Sequence, residues 1–262
     1  RDRNNNFRWD SNFTLSHNKN KIKELVRDYV HPETGELINK DRLDVGGLGK
    51  ARFILKEGGT LGDLYTQSDL KRDDNGMVDI DPTGIVAIEN NLPDIKLGSV
   101  FPKANLAWSN HFSWKGISLS ALFTARIGGI VYSATEAAMD QYGVSERSAL
   151  ARDNGGVLVN NRTLVDAQNY YTTIGSESGL PQYYTYNATN VRLQEASIGY
   201  LIPRKWLGNV CDIQVSVIGR NLWMIYNKAP FDPESVATTD NYYQGIDYFM
   251  LPSTRNIGFN VK

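Results

Sequence analysis

The sequence is short of several things, and each shortage excludes something. It holds one cysteine, Cys211, so no internal disulfide can staple it and no C-x-x-C metal or redox motif exists. Its three histidines, His17, His31 and His111, are scattered with no second ligand at metal spacing. Charge of one sign is also missing: 28 Lys and Arg stand against 29 Asp and Glu, which gives no reason to expect a nucleic-acid partner. No stretch approaches the roughly 18 uncharged apolar residues of a membrane-crossing helix. The best candidate, Ile117 to Ala134, is broken by Ser118, Ser120, Thr124, Arg126 and Gly128, so a helical membrane protein is excluded. The opening Arg1-Asp2-Arg3-Asn4-Asn5-Asn6 has neither the apolar stretch nor the cleavage site of a signal peptide, and the expectation is a chain cut from a longer one. No repeat, basic run or low-complexity linker divides residues 1–262, which are read as one domain.

What is present is enough apolar material to fold, 41 % against 22 % charged, arranged with a period of two. Leu106, Trp108, Phe112 and Trp114 fall on one side of an extended chain, with only Asn110 spoiling the row. Lys115-Gly116 makes a short turn, and Ile117, Leu119, Ala121, Phe123 and Ala125 resume the alternation, giving a hairpin of about ten residues per arm. Phe7 to Leu15, Ile213 to Val217 and Ile257 to Val261 alternate in the same way. From Asn190 to Leu201 the phase slips, and a bulge near Gln194 or Glu195 would repair it.

Between the strands run long polar connections, Asp63 to Gly98, Asp140 to Asn190 and Tyr226 to Pro252. Two short helices are predicted, one from Ile22, Leu25, Val26 and Tyr29 at helical spacing and one over Thr135 to Gly143 with a glycine stop.

The alternation fits two architectures. A soluble sandwich turns its apolar face inward, whereas an outer-membrane barrel turns it to lipid and lines a wet lumen with the polar face. Three details favour an all-β transmembrane antiparallel barrel segment with long extracellular loops: arm length, aromatic residues at strand ends such as Trp114, Tyr200 and Trp223, and short turns alternating with long loops. A charge at Leu119, on the apolar face, should then cost more than one at Ser120. The alternative is a soluble all-β glycan-binding domain that uses its tyrosine-rich loops.

Particular words in the sequence add to this. Asn190-Val191-Arg192-Leu193-Gln194-Glu195-Ala196-Ser197-Ile198-Gly199-Tyr200-Leu201-Ile202-Pro203, then Trp206-Leu207, Val217-Ile218-Gly219-Arg220-Asn221-Leu222-Trp223 and Phe231-Asp232-Pro233-Glu234 follow one another in order. The set resembles the C-terminal end of SusC/RagA-type TonB-dependent outer-membrane transporters. Phe112 to Ser120 with Arg126 to Ser133 looks like a late hairpin of that family and the loop after it. The resemblance implies a barrel of about 22 strands, of which this chain would supply about seven to nine as its C-terminal part. It also implies a plug and a TonB box, neither of which is in this chain, and a SusD-like lipoprotein lid. The implied activity is import of oligosaccharides or peptides across the bacterial outer membrane, driven by TonB and the proton-motive force and without enzyme chemistry. Family members usually end in an aromatic residue, and this chain stops at Val261-Lys262.

A search for chemistry leaves no catalytic set. Asp73-Asp74-Asn75-Gly76 with Asp79 and Asp81 looks like a calcium loop, but Gly84 stands where the closing Glu belongs, so calcium is unsupported, a polar turn is expected and no cofactor is called for. Asp232 and Glu234 flank Pro233 and are read as structural. Substrate contacts are sought instead on the polar face and the loops: His111 and Arg126 in the lumen, and Tyr183, Tyr184, Tyr242 and Tyr243 among the loop tyrosines, whose rings could stack on sugars. The plainer reading of those tyrosines is that they pack the loops together.

Overall fold

The computed structural model describes residues 7–176, 179–238 and 243–262. Six long strands, β1 (Arg8–Ser16), β2 (Ala104–Trp114), β3 (Ile117–Ile127), β4 (Asn190–Ile202), β5 (Ile213–Asn227) and β6 (Asn256–Val261), form one antiparallel sheet in chain order. Each pairs with its predecessor, so the sheet is a meander with β1 and β6 at its edges. Among the described residues it does not close on itself, and its six strands fall short of the seven to nine expected. The difference lies in the connections, whose extended segments pair with one another and leave the wall to these six.

The β2–β3 hairpin has 11 residues per arm. It turns at Lys115 and Gly116, both with positive φ (47° and 88°), the two-residue turn whose twist matches that of the strands. An arm of this length extends about 36 Å, which at a tilt of 45° crosses roughly 25 Å, the height of a barrel's apolar band. The register carries that band across neighbouring strands: Phe13 faces Trp108, Trp108 faces Phe123, and Phe123 faces Leu193. Lower down, Leu119 faces Ile198, Ile198 faces Val217, and Val217 faces Phe259.

Two polar residues interrupt this face, and each is met by an indole. The Trp9 N–H donates to the Asn110 amide oxygen at 3.2 Å, and the Trp108 N–H donates to the Ser11 hydroxyl at 3.0 Å. Satisfied in this way, Asn110 can sit on an apolar surface without an orphaned dipole. The expected bulge is present: Leu122 pairs with Glu195 and Phe123 with Leu193, leaving Gln194 unpaired. That extra residue keeps Val191, Leu193, Ala196, Ile198 and Tyr200 on one face.

Among the described residues nothing covers the apolar face. Trp9 is 56 % exposed, Phe13 62 % and Phe259 79 %. All fully buried apolar side chains of the described residues lie outside the six wall strands. They sit in a layer built by the connections 17–103, 128–189 and 228–255, around Phe53, Leu64, Val86, Tyr132, Leu180 and Tyr184. The layer contains a four-stranded sheet (Arg42–Leu48, Ala51–Lys56, Asp63–Thr66, Ile95–Ser99) and a three-stranded one in the order Thr185–Asn187, Ile130–Ser133, Ile246–Asp247. It also contains the helices α1 (Ala134–Gln141), α2 (Glu146–Asp153) and α3 (Ala167–Gly175).

The second predicted helix is α1, capped by the Ser133 hydroxyl, which accepts from the Glu136 N–H, and followed by Gly143 at φ +68°. The first is not a helix. Val26–Val30 is a strand paired with Leu37–Lys40, with Asp28 at φ +53° breaking its register, while Ile22 is tucked under Gly58 and Gly59 by backbone hydrogen bonds. Four apolar residues at helical spacing did not outweigh a nearby segment able to pair.

Candidate functional site

The polar face of the wall meets the loop layer at the upper ends of β3 and β4. Arg126 and Asn190 face one another there, one step beyond Thr124 and Arg192, so all four project from the same side of the sheet. The Arg126 Nη2 donates to the Val100 carbonyl at 2.8 Å, while its Nε is buried with no partner among the described residues. It lines a groove of about 380 Å³ with Thr14, Ser16, Asn105, Gln194 and Glu234. The sequence placed a charge on this face at Arg126, and the structure holds it at the junction of wall and loops.

Beside it lies a network that residue types alone did not disclose. Arg192, 4 % exposed in its side chain, donates Nη2 to Asp232 Oδ1 at 2.8 Å and stands 3.3 Å from Glu234 Oε2. Its Nε donates to the Asn190 amide oxygen at 3.2 Å, and the Asn190 amide N–H donates on to Glu234 at 3.3 Å. Ser253 closes the far side, its hydroxyl donating to Asp232 Oδ2 at 2.5 Å. Asp232 and Glu234, read as structural, therefore clamp the loop after β5 to the start of β4. The available signal was an arginine and an acidic Pro-containing turn both lying within family-like words.

Burial opposes ionisation of Asp232, but hydrogen bonds from Arg192 and Ser253 prevail and hold its carboxyl below the ordinary value. A carboxyl depressed in the folded state adds stability above its unfolded pKa, and that stability is lost as pH falls through the folded value. The melting temperature of the wild type is therefore expected to drop on acidification below about pH 4. Asp232→Asn should melt lower at neutral pH and lose less on acidification. Parallel pH profiles for the two proteins would contradict this.

His111 lies further down the same face, its Nδ1 2.7 Å from the Ser120 hydroxyl, beside a cavity lined by Asp10, Asn12 and Glu195. Six residues along β2 separate it from Asn105, the partner of Arg126, so the two candidates stand about 20 Å apart. They share a face and form no single site.

The tyrosines divide. Tyr184 is fully buried, its hydroxyl donating to Asp140 Oδ2 at 3.0 Å and its ring under the Arg147 guanidinium at 4.8 Å, which leaves no surface for a ligand. Burial, with the Asp140 charge beside it, raises its pKa well above the usual phenol range. Tyr183 packs against the same core, and Tyr170 meets Tyr171 edge to face with centroids 5.4 Å apart. Tyr243 is exposed, with its hydroxyl over Gly46. Tyr242 lies outside the described residues. The carboxylate at the centre of this packing is Asp140, which also accepts from Ser145 Oγ at 2.6 Å and from Arg147 Nε at 2.9 Å.

Asp73 and Asp81 are spent on their own turns. Each accepts backbone N–H donors from two and four residues on, at 2.8 to 2.9 Å. Among the described residues no three His, Cys, Asp or Glu side chains gather as a metal site would need.

A tall antiparallel sheet, apolar on one face and polar on the other, with its buried core displaced into the loops, has the alternation and arm length of strands in a membrane-type β-barrel wall. No family model matches the chain. The sequence is 25 % identical over 292 aligned residues, 99 % of this chain, to TonB-dependent receptor P3 of Formosa agariphila, and it spans 27 % of that receptor's length. In fold it matches the RagAB peptide importer in its closed-closed state, with a TM-score of 0.61 and 16 % identity over 100 % of this chain and 27 % of the other. The open-open state of the same importer gives a TM-score of 0.58. These matches bear out the resemblance to SusC/RagA-type TonB-dependent receptors read from the strand motifs.

Proposed function

We propose that this chain is the C-terminal barrel portion of an outer-membrane importer, residues 1–262 forming one continuous part of its wall and outer loops. The observation that carries the reading is the uncovered apolar face: a soluble glycan-binding domain would turn that face inward, and here the core lies wholly in the loops. The unpaired edges of β1 and β6 suit further strands, so the rest of a barrel of about 22 strands and its plug complete the wall. The remaining partners are outer-membrane lipid, TonB as the source of energy, and a SusD-like lipoprotein seated over the loop layer. The cargo is an oligosaccharide or a peptide. It is handled by binding and passage without bond-breaking, with Arg126 and His111 on the lumen side and Tyr243 at the loops as candidate contacts. The transporter that contains this chain is expected in the detergent-resistant outer-membrane fraction, with mobility that changes on boiling and a lipoprotein co-purifying. Recovery of the unextracted protein in the aqueous fraction would refute the proposal.

A further inference from the structure

The last wall strand stops short of its neighbour. β5 runs to Asn227 and pairs with β4 over that length, but β6 pairs only with Val215 to Arg220. Residues 248–255 continue upward from β6 instead. They carry the chain from Asp247, which pairs with Ser133 in the loop layer, down to Asn256, the partner of Arg220. The register gives this strap its height. Its lower end lies beside Asn221, whose side-chain amide donates to the Thr254 carbonyl at 3.3 Å, and Trp223, two residues on, is level with Leu193 and Phe123. Its upper end meets the loop layer, where the Phe249 N–H donates to Thr135 Oγ1 at 2.7 Å.

The strap is unlike the polar connections around it. No charged residue occurs from Tyr248 to Thr254, and Tyr248, Phe249, Met250 and Leu251 form a run of exposed apolar side chains, with Leu251 86 % exposed. In water such a run is a liability. Phe249 has φ +51°, a strained conformation for a bulky residue, and its ring meets Tyr248 edge to face with centroids 5.1 Å apart. Trp223, Ile225 and Tyr226 of β5 are exposed at the same height. Resting on the barrel reading of the wall, we infer that the strap is an interfacial anchor. Tyr248 to Leu251 enter the outer leaflet where headgroups meet acyl chains and seat the loop layer on the lipid surface. Lipid is the occupant because the strap continues the lipid-facing side of the wall upward from β6. At that depth Pro252 needs no acceptor, and headgroups and water answer the irregular backbone, which the hydrocarbon interior could not do. Tyrosine suits the same depth.

The test uses the complete transporter in vesicles of phosphatidylethanolamine and phosphatidylglycerol, with Cys211→Ser removing the exposed native thiol. A nitroxide spin label is attached through Leu251→Cys in the strap, Phe259→Cys on the wall, or Leu158→Cys on an exposed hairpin of the loop layer. Collisions with oxygen, which partitions into lipid, are compared with collisions with a water-soluble nickel chelate. The ratio of oxygen to chelate collisions at position 251 is expected to exceed that at 158 by about fivefold. A ratio no higher than at 158 places the strap in water, and an immobile label reached by neither reagent places protein over it; either result overturns the inference. Met250→Cys repeats the measurement should Leu251→Cys fail to assemble, as judged by heat-modifiable mobility. A label at 259 as open to the chelate as one at 158 removes the barrel reading as well, whereas a lipid-exposed 259 with a wet 251 removes the anchor alone.

Discussion

Placing lysine at Phe123 is expected to destabilise the wall by about 2–4 kcal/mol, while lysine at Ser120, three residues away on the opposite face, should cost about 1 kcal/mol. Phe123 lies near the middle of β3, stacked on Trp108 with centroids 5.7 Å apart and flanked by Leu193, so a charge there would sit near the bilayer midplane. Ser120 faces the polar side and gives up only its contact with His111. Leu119 also lies on the apolar face, but only two residues beyond the start of β3, where headgroups and water are close; its penalty should fall between the two. Urea unfolding of the complete barrel in lipid vesicles, followed by tryptophan fluorescence, ranks the three. Equal effects at positions 123 and 120 would mean that the apolar face does not meet lipid.

The second large effect is expected at Arg192. Replacing it with methionine keeps much of the volume but leaves Asp232, Asn190 and Glu234 facing one another without a cation. Breaking a buried pair from one side costs about 3–5 kcal/mol, because the partner stays buried and uncompensated. Arg192→Met should therefore free the loop around Asp232 for proteolysis at concentrations that leave wild type uncut. Adding Asp232→Asn should restore part of the loss, since the double variant no longer buries a lone carboxylate. A double variant as unstable as the sum of the singles would mean that the pair does not act as a unit.

The wall was legible because its information is local. Each strand repeats every two residues, the Lys115-Gly116 turn fixes the register of the hairpin, and the phase slip at Gln194 marks its own bulge. Asn110, which spoiled the row in the sequence, is explained only by Trp9 on another strand. The loop layer was hidden for the same reason. Phe53, Leu64, Tyr132 and Tyr184 are spread over long polar stretches without a period, and only the tertiary fold collects them. The candidate site shared this fate: a tyrosine-rich loop reads alike whether its rings point to cargo or, as with Tyr184, to a buried aspartate.

The shared interior of the loops has a consequence for how such proteins diverge. Gln182 donates to Ser68 and Asp69, Asn160 exchanges two hydrogen bonds with Val78, and Ser133 donates to Asp247, so all three connections are interlocked. Transplanting one connection from a relative would bring half of each such contact and leave the other half behind. New surface chemistry can thus be acquired residue by residue on the outside of the layer. Wholesale exchange must move all three connections together, making them a single heritable module although they are separate in the sequence.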